Sequence, residues 1–374
     1  MAVPFINLRA VNDHFLDDYK EELDKIFQSG QFILGPGVQK FEEQFAKYIS
    51  TKHGIGVNSG TDAMLLALNA LGVGPEDEVI MPAFSSGRNA DVVARLGATP
   101  VFVDVRPDSY CLDPDLTMAT ITSRTKAVIG VHMFGQAAEI DRLATVARTY
   151  SVSVIEDLRH AAGARVNGRR LGTYGQLSAF SFYPTRNLGA IGDAGLVTTN
   201  DDKLAEAVRR LRDHGLAPSG TINREHTQVG YNSRMDTVQA AILSLKLADL
   251  DENNLERVEN ARLYTQLFKG SPVQTPAFRD DLSHVYNMYT VLVPDRDKLA
   301  EHLTEKGIGF GVYYGSAIHR QPAFEYLGYR EGAFPVSEDL AKRAISLPVA
   351  PGLKKKAIEE VASTLLSFYG VAAG

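Results

Sequence analysis

Four places in this chain combine residue types and spacing suited to chemistry. The first is Asn58-Ser-Gly-Thr-Asp-Ala63, which follows an apolar run and opens a helical pattern. Small residues there leave backbone N–H groups free to hold a phosphate, assisted by the positive end of the helix dipole. The same residues also make an ordinary N-cap through Ser59 or Thr61, and taken alone that is the simpler account. The second is Asp157, at the end of another apolar run. A carboxylate there can pair with a protonated ring nitrogen, or it can be a solvated acid or a cap. The third is Ser181, whose hydroxyl can add to a phosphate site or can belong to a plain small strand residue. The fourth is Arg186, within Ser178-Ala-Phe-Ser-Phe-Tyr-Pro-Thr-Arg-Asn-Leu-Gly189. A guanidinium keeps its proton at physiological pH, so it is neither nucleophile nor base. It can hold a phosphate, a carboxylate or a developing oxyanion through paired hydrogen bonds.

These positions need a scaffold, and the hydrophobic pattern supplies one. Short β-branched runs predict strands over 54–57, 78–81, 99–104, 127–132, 152–156, 177–182 and 196–199. Helical spacing separates most of the early ones: Leu65, Leu66, Leu68 and Leu71; Val92, Val93 and Leu96; Ile140, Leu143, Val146 and Ala147. Strand–helix alternation predicts an α/β fold with a mostly parallel sheet covered on both faces. Ligands of such sheets bind at the carboxyl ends of the strands, where the four places fall. A helical pattern over 238–250, then the polar Asp251-Glu-Asn-Asn254, marks the expected boundary between a large domain, 1–250, and a smaller C-terminal α+β domain, 251–374. In the latter, 288–293 and 308–313 read as strands, and 299–303 and 358–368 as helices.

The 374 residues are 44% hydrophobic and 22% charged, which suits a globular chain with a sizeable core. The net charge of -6, with no basic cluster, argues against a nucleic-acid partner. The single cysteine, Cys111, leaves no intramolecular disulfide or cysteine-rich metal site and fits a reducing cytoplasm. No run reaches membrane-span length, and the first residues lack a charged leader before an apolar stretch. The expectation is a cytoplasmic protein with no membrane partner.

Taken in order, Gly60-Thr61, Glu156-Asp157, Ser181 and the 178–189 loop with Gly192-Asp-Ala-Gly195 resemble the DegT/DnrJ/EryC1/StrS family, aminotransferases that use pyridoxal phosphate (PLP), mostly on nucleotide-linked keto sugars. Pro4-Phe-Ile-Asn-Leu8, Gly30-Gln-Phe-Ile-Leu-Gly-Pro-Gly37, Gly97-Ala-Thr-Pro-Val-Phe-Val-Asp104, His132-Met-Phe-Gly-Gln136, Gly230-Tyr-Asn-Ser-Arg-Met235, His319-Arg-Gln-Pro322 and Ser346-Leu-Pro348 extend the resemblance over nearly the whole chain. It implies the type I aminotransferase fold and a homodimer with shared active sites. It also implies a nucleotide-linked sugar as substrate and an amino donor such as glutamate. By the same resemblance Gly60, Thr61 and Ser181 hold the cofactor phosphate, Asp157 meets the ring nitrogen, His160 lies beside the ring, and Asn232 serves the partner's site.

The departures are as informative. Arg186 stands where the family has the lysine that binds the cofactor covalently. Ser85-Ser86 stands where an aromatic residue stacks on the ring, and Ser86 cannot stack. Arg88 and Asn89 replace smaller residues, Leu158-Arg159 replaces two small ones, and Tyr313-Tyr-Gly315 replaces a motif closer to His-Tyr-Pro. Together they mark divergence of the whole site; singly, each is compatible with drift. Without the lysine amine, pyridoxamine phosphate (PMP) or PLP is expected to bind noncovalently, and His160 is the best remaining acid–base candidate, with an ordinary pKa of about 6.5. His226, in Arg224-Glu-His226, is a weaker one. Three functions stay open: an aminotransferase-like enzyme defective in ordinary transamination, a silent homologue that binds sugar nucleotide or a partner enzyme, and a pocket reused for cofactor-free chemistry.

Overall fold

The computed structural model describes residues 3–217 and 225–371. Arg224, next to His226, lies outside the described residues. Eleven strands are present among the described residues: β1 His53–Val57, β2 Glu78–Pro82, β3 Thr99–Val103, β4 Thr125–Val131, β5 Ser153–Asp157, β6 Arg165–Val166, β7 Arg169–Arg170, β8 Leu177–Ser181, β9 Gly195–Thr199, β10 Tyr289–Leu292 and β11 Ala344–Leu347. Seven form one sheet in the order β1-β9-β8-β5-β4-β2-β3. Only β9 runs against its neighbours; the pairs β2–β3, β2–β4, β4–β5 and β5–β8 are parallel. This is an α/β fold with a mostly parallel sheet, as the hydrophobic pattern predicts.

Alternation along the strands splits the interior into two cores. Val79, Met81, Ile129, Ile155, Ala179 and Val197 face one side, with Met64, Leu66 and Leu68 of the helix Gly60–Ala70. Ile80, Val128, Val154, Phe180 and Leu196 face the other, with Ile140 and Leu143 of the helix Ile140–Thr149. Burial on both faces explains why these strands read as continuous apolar runs. A third core joins Tyr264, Phe268, Tyr289, Val291, Leu303, Ile345, Leu347 and Leu365 around the pair β10–β11, and Val3 packs into it.

Two sequence expectations change. The segment 308–313 is not a strand: it makes isolated bridges, Val3 with Ile308 and Gly311 with Ser346. Its glycines explain this, since a Cβ at Gly309 would overlap the Phe5 backbone and glycine weakens a strand interior. The polar stretch Asp251-Glu-Asn-Asn254 is not a break but the first turn of the 18-residue helix Leu250–Leu267. Acids there complement the helix dipole. The chain turns earlier, at Ala248 and Asp249, after the helix Thr237–Leu247.

Parallel strands deliver their carboxyl ends to one edge. There β5 ends on Asp157, β8 ends on Ser181, β1 leads into Ser59 and Gly60, and β2 leads into Ser85 and Ser86.

Candidate active site

A cup is built by the close approach of the segments carrying Ser59 and Gly60, Ser181, and Gly195. A Cβ on Gly60 would overlap the Ser181 side chain, and one on Gly195 would overlap the Ser59 carbonyl, so both positions demand glycine. Ser59 caps the helix Gly60–Ala70, its hydroxyl accepting from Asp62 N at 3.1 Å. That leaves the N–H groups of Gly60 and Thr61, the first two helical residues, with no intrahelical acceptor. They open into a cavity of about 340 Å³, also lined by Ser181, Arg88, Arg159, Tyr183 and Asp193. Cap and cup therefore coexist. Arg88 is the first residue of the helix Arg88–Arg95, where a cation opposes the dipole and an anion in front of it relieves the conflict.

Behind the cup lies a buried network that residue-by-residue reading did not find. Asp157 Oδ1 accepts from Arg159 Nε at 3.0 Å and Arg159 N at 3.1 Å. Its Oδ2 accepts from Asn89 Nδ2 at 2.8 Å and lies 2.7 Å from Arg159 Nη2 as an ion pair. Arg159 Nη2 also donates to Asn89 Oδ1 at 2.5 Å, and Arg159 Nη1 donates to Ser86 Oγ. Burial alone would raise the Asp157 pKa, but the charge and hydrogen bonds of Arg159, with Asn89, hold it below the usual carboxylate range. Thus Ser86, Asn89 and Arg159, read singly as departures from a pattern, form one unit around Asp157. The signal that could have exposed it was their co-occurrence with an unchanged acid.

His160 follows on the same turn, fully enclosed, its ring 6.3 Å from that of Phe134. Neither of its ring nitrogens has a hydrogen-bond partner among the described residues. Burial and then the charges of Arg186, Arg159 and Arg88 push its pKa well below 6.5. It is therefore a neutral imidazole, able to donate one hydrogen bond and accept one, and a weak base. Arg186 donates to Asn287 Oδ1 at 3.3 Å, and its Nε has no hydrogen-bond partner among the described residues. Burial and the nearby Arg159 and Arg88 lower its pKa to about 10, so it stays charged at neutral pH. Asn287 also binds Thr185 O and Asn187 Oδ1, which fixes the loop, and it lines a second cavity of about 270 Å³ with Phe5, Met288 and Tyr313. Asn232 is exposed and does not line the cup of its own chain. His226 is exposed too, with Nδ1 2.8 Å from His214 O.

The cup and the orphaned His160 nitrogens fit a phosphorylated ring compound. The acid does not fit as readily, because both of its oxygens are already engaged. Among the described residues no cluster of His, Cys, Asp and Glu is arranged to hold a metal, and no helix is long and apolar enough to cross a membrane.

The buried histidines give a pH dependence. His284 is pushed down to about 3 by burial, and His160 is also depressed. In the unfolded chain both take a proton near pH 6.5. Their neutral burial therefore contributes stability above that pH, which is lost as pH falls. Each is expected to cost up to about 1.4 kcal/mol per pH unit below 6.5. Thermal melts at pH 7.5, 6.0 and 5.0 should show the decline, and it should shrink in a His160→Gln, His284→Gln variant.

Fold and cup define the class, a type I aminotransferase scaffold, and comparison with known proteins narrows it. The model of the DegT/DnrJ/EryC1/StrS aminotransferase family matches residues 15–366. A pleiotropic regulatory protein of Geobacillus stearothermophilus is 43% identical over 372 residues, 99% of each chain. The dTDP-3-amino-3,4,6-trideoxy-α-D-glucose transaminase of Streptomyces venezuelae is 39% identical, covering 94% of this chain and 92% of that one. S. venezuelae DesV, solved in complex with a ketimine intermediate, is similar with a TM-score of 0.94 at 38% identity over 98% of both chains. Bacillus subtilis ntda, solved with bound cofactor PMP, has a TM-score of 0.90 at 29% identity, covering 98% of this chain and 85% of that one. The chain belongs to the DegT/DnrJ/EryC1/StrS aminotransferase family.

Proposed function

We propose that this protein binds a nucleotide-linked keto sugar and holds PMP or PLP without a covalent bond, and that it is not an ordinary transaminase. The observation that carries this is Arg186, a guanidinium charged at neutral pH and bonded to Asn287, at the position where the sequence resemblance implies the cofactor-anchoring lysine. Gly60, Thr61 and Ser181 would hold the phosphate, and His160 would donate to or accept from a ring substituent. Asp157 would meet the ring nitrogen once Arg159 gives way. Bound there, the cofactor would supply an electron sink for amino transfer from a donor such as glutamate. The chain's own contribution is positioning and charge, because neither Arg186 nor neutral His160 moves a proton readily at pH 7. Calorimetry with PMP and with dTDP- and UDP-linked sugars tests this. Heat with both classes supports it; no heat with either vitamer or any nucleotide sugar overturns it.

The working unit we propose is a homodimer. Exposed Phe27 and Phe32 form an apolar patch, ring to ring at 5.9 Å, beside exposed Ile33, which bridges to Asp236, four residues past Asn232. This brings the patch next to the segment that would serve a partner's cup, and two-fold dimers are the commonest soluble oligomers. Light scattering at micromolar concentration should give twice the chain mass; a monomer would remove the shared site.

A further inference from the structure

We propose that Arg159 is a resident counter-ion, occupying from within the chain the place at Asp157 that a cofactor's ring nitrogen would take. The resting pocket then accepts a phosphate group readily and a pyridinium ring poorly. This rests on the reading of Gly60, Thr61 and Ser181 as a phosphate cup.

Hydrogen-bond capacity supports it first. An ionised carboxylate offers about four acceptor sites. Asp157 receives three hydrogen bonds, two from Arg159 and one from Asn89, and Arg159 Nη2 makes a 2.7 Å ion-pair contact with it, so both oxygens are already engaged where a ring nitrogen would approach. The guanidinium is equally committed: Nε and Nη2 reach Asp157, Nη2 also reaches Asn89, and Nη1 reaches Ser86. Ser86 is thereby explained, since it accepts from Arg159 where a bulkier ring would displace it.

Charge supports it second. Arg88 and Arg159 line the pocket with Asp193, Asp157 lies behind it bonded to Arg159, and Arg186 is close enough to act on His160 along with Arg159 and Arg88. A further cation is disfavoured there, whereas a phosphate meets two free N–H groups and two lining arginines, Arg88 and Arg159. His160, enclosed nearby with both ring nitrogens unpartnered among the described residues, is neutral and adds no further positive charge. The ligand class that fits the resting pocket is an organic phosphate, the diphosphate of a nucleotide-linked sugar included.

The test is equilibrium titration with PMP, followed by its near-ultraviolet absorbance, on the parent, Arg159→Ala, Arg159→Lys and Arg159→Ala with Asp157→Asn. Releasing a carboxylate for a charge-assisted bond is expected to tighten PMP binding by about 10- to 100-fold in Arg159→Ala. Arg159→Lys should stay near the parent, and the double variant should lose the gain. Inorganic phosphate, titrated in parallel, should bind no tighter to Arg159→Ala, which separates a freed acid from a merely enlarged pocket. Arg159→Gln, neutral and of similar reach, carries the comparison if the alanine variant fails to fold. Equal PMP affinity in parent and variants overturns the counter-ion while leaving the cofactor reading intact. If no variant binds PMP but phosphate still binds, both are overturned.

Discussion

Arg186→Lys alone is expected to leave amino transfer near background, whereas Arg186→Lys combined with Arg159→Ala and Ser86→Tyr is expected to raise it by about 10²–10⁴-fold, the usual worth of a positioned proton shuttle. A lysine at 186 can lose its proton and pass it between neighbouring atoms. The native guanidinium, with a pKa of about 10, holds its own. The lysine is not sufficient, because Asp157 remains bonded to Arg159 and Asn89, and Ser86 gives a ring nothing to stack on. Borohydride treatment in the presence of PLP, with peptide mapping, should fix the cofactor at position 186 in the triple variant. Full activity from the single substitution would show that the Arg159 network does not restrain the site.

Asp157→Ala is expected to destabilise the fold by about 3–5 kcal/mol, the cost of leaving the partner of a buried ion pair uncompensated. Arg159 is 8% exposed and all three of its nitrogens point into the network, so its charge cannot reach water without rearrangement. Asp157→Ala with Arg159→Ala should be more stable than Asp157→Ala alone, since the second change removes the stranded charge. Denaturant melts of the four proteins give the coupling energy directly. A loss below about 1 kcal/mol in the single variant would mean that the pair is not load-carrying in solution.

Much of this was legible in the sequence. All seven runs read as sheet strands are strands, because burial on both faces leaves a clear apolar signature in β2, β4, β5 and β9. The proximity of Gly60 to Ser181 was legible as well, since a close approach leaves small residues at fixed places; that they hold a phosphate is proposed. The segment 308–313 misled because apolar content alone does not reveal that its glycines meet the N-terminal segment. The partners of Asp157 were hidden for another reason. Ser86 and Asn89 sit at the entry and first turn of the helix Arg88–Arg95, Arg159 follows β5 some seventy residues later, and only the folded edge of the sheet shows that they meet at one carboxylate. Likewise, the sequence offered His160 as an acid–base group, but its low pKa follows from burial among three arginines that spacing does not bring together.

Lacking an amine at 186, this scaffold is expected not to sustain transamination. The most direct measurement is product formed per protein chain when the unmodified protein is given PLP, glutamate and a panel of dTDP- and UDP-linked keto sugars, with the triple variant alongside to establish which sugar is accepted. We expect no more than one amino sugar per chain from the unmodified protein on a sugar that the variant turns over repeatedly. Many turnovers by the unmodified Arg186 protein, at rates of about 1 s⁻¹ or more typical of enzymes, would contradict the account.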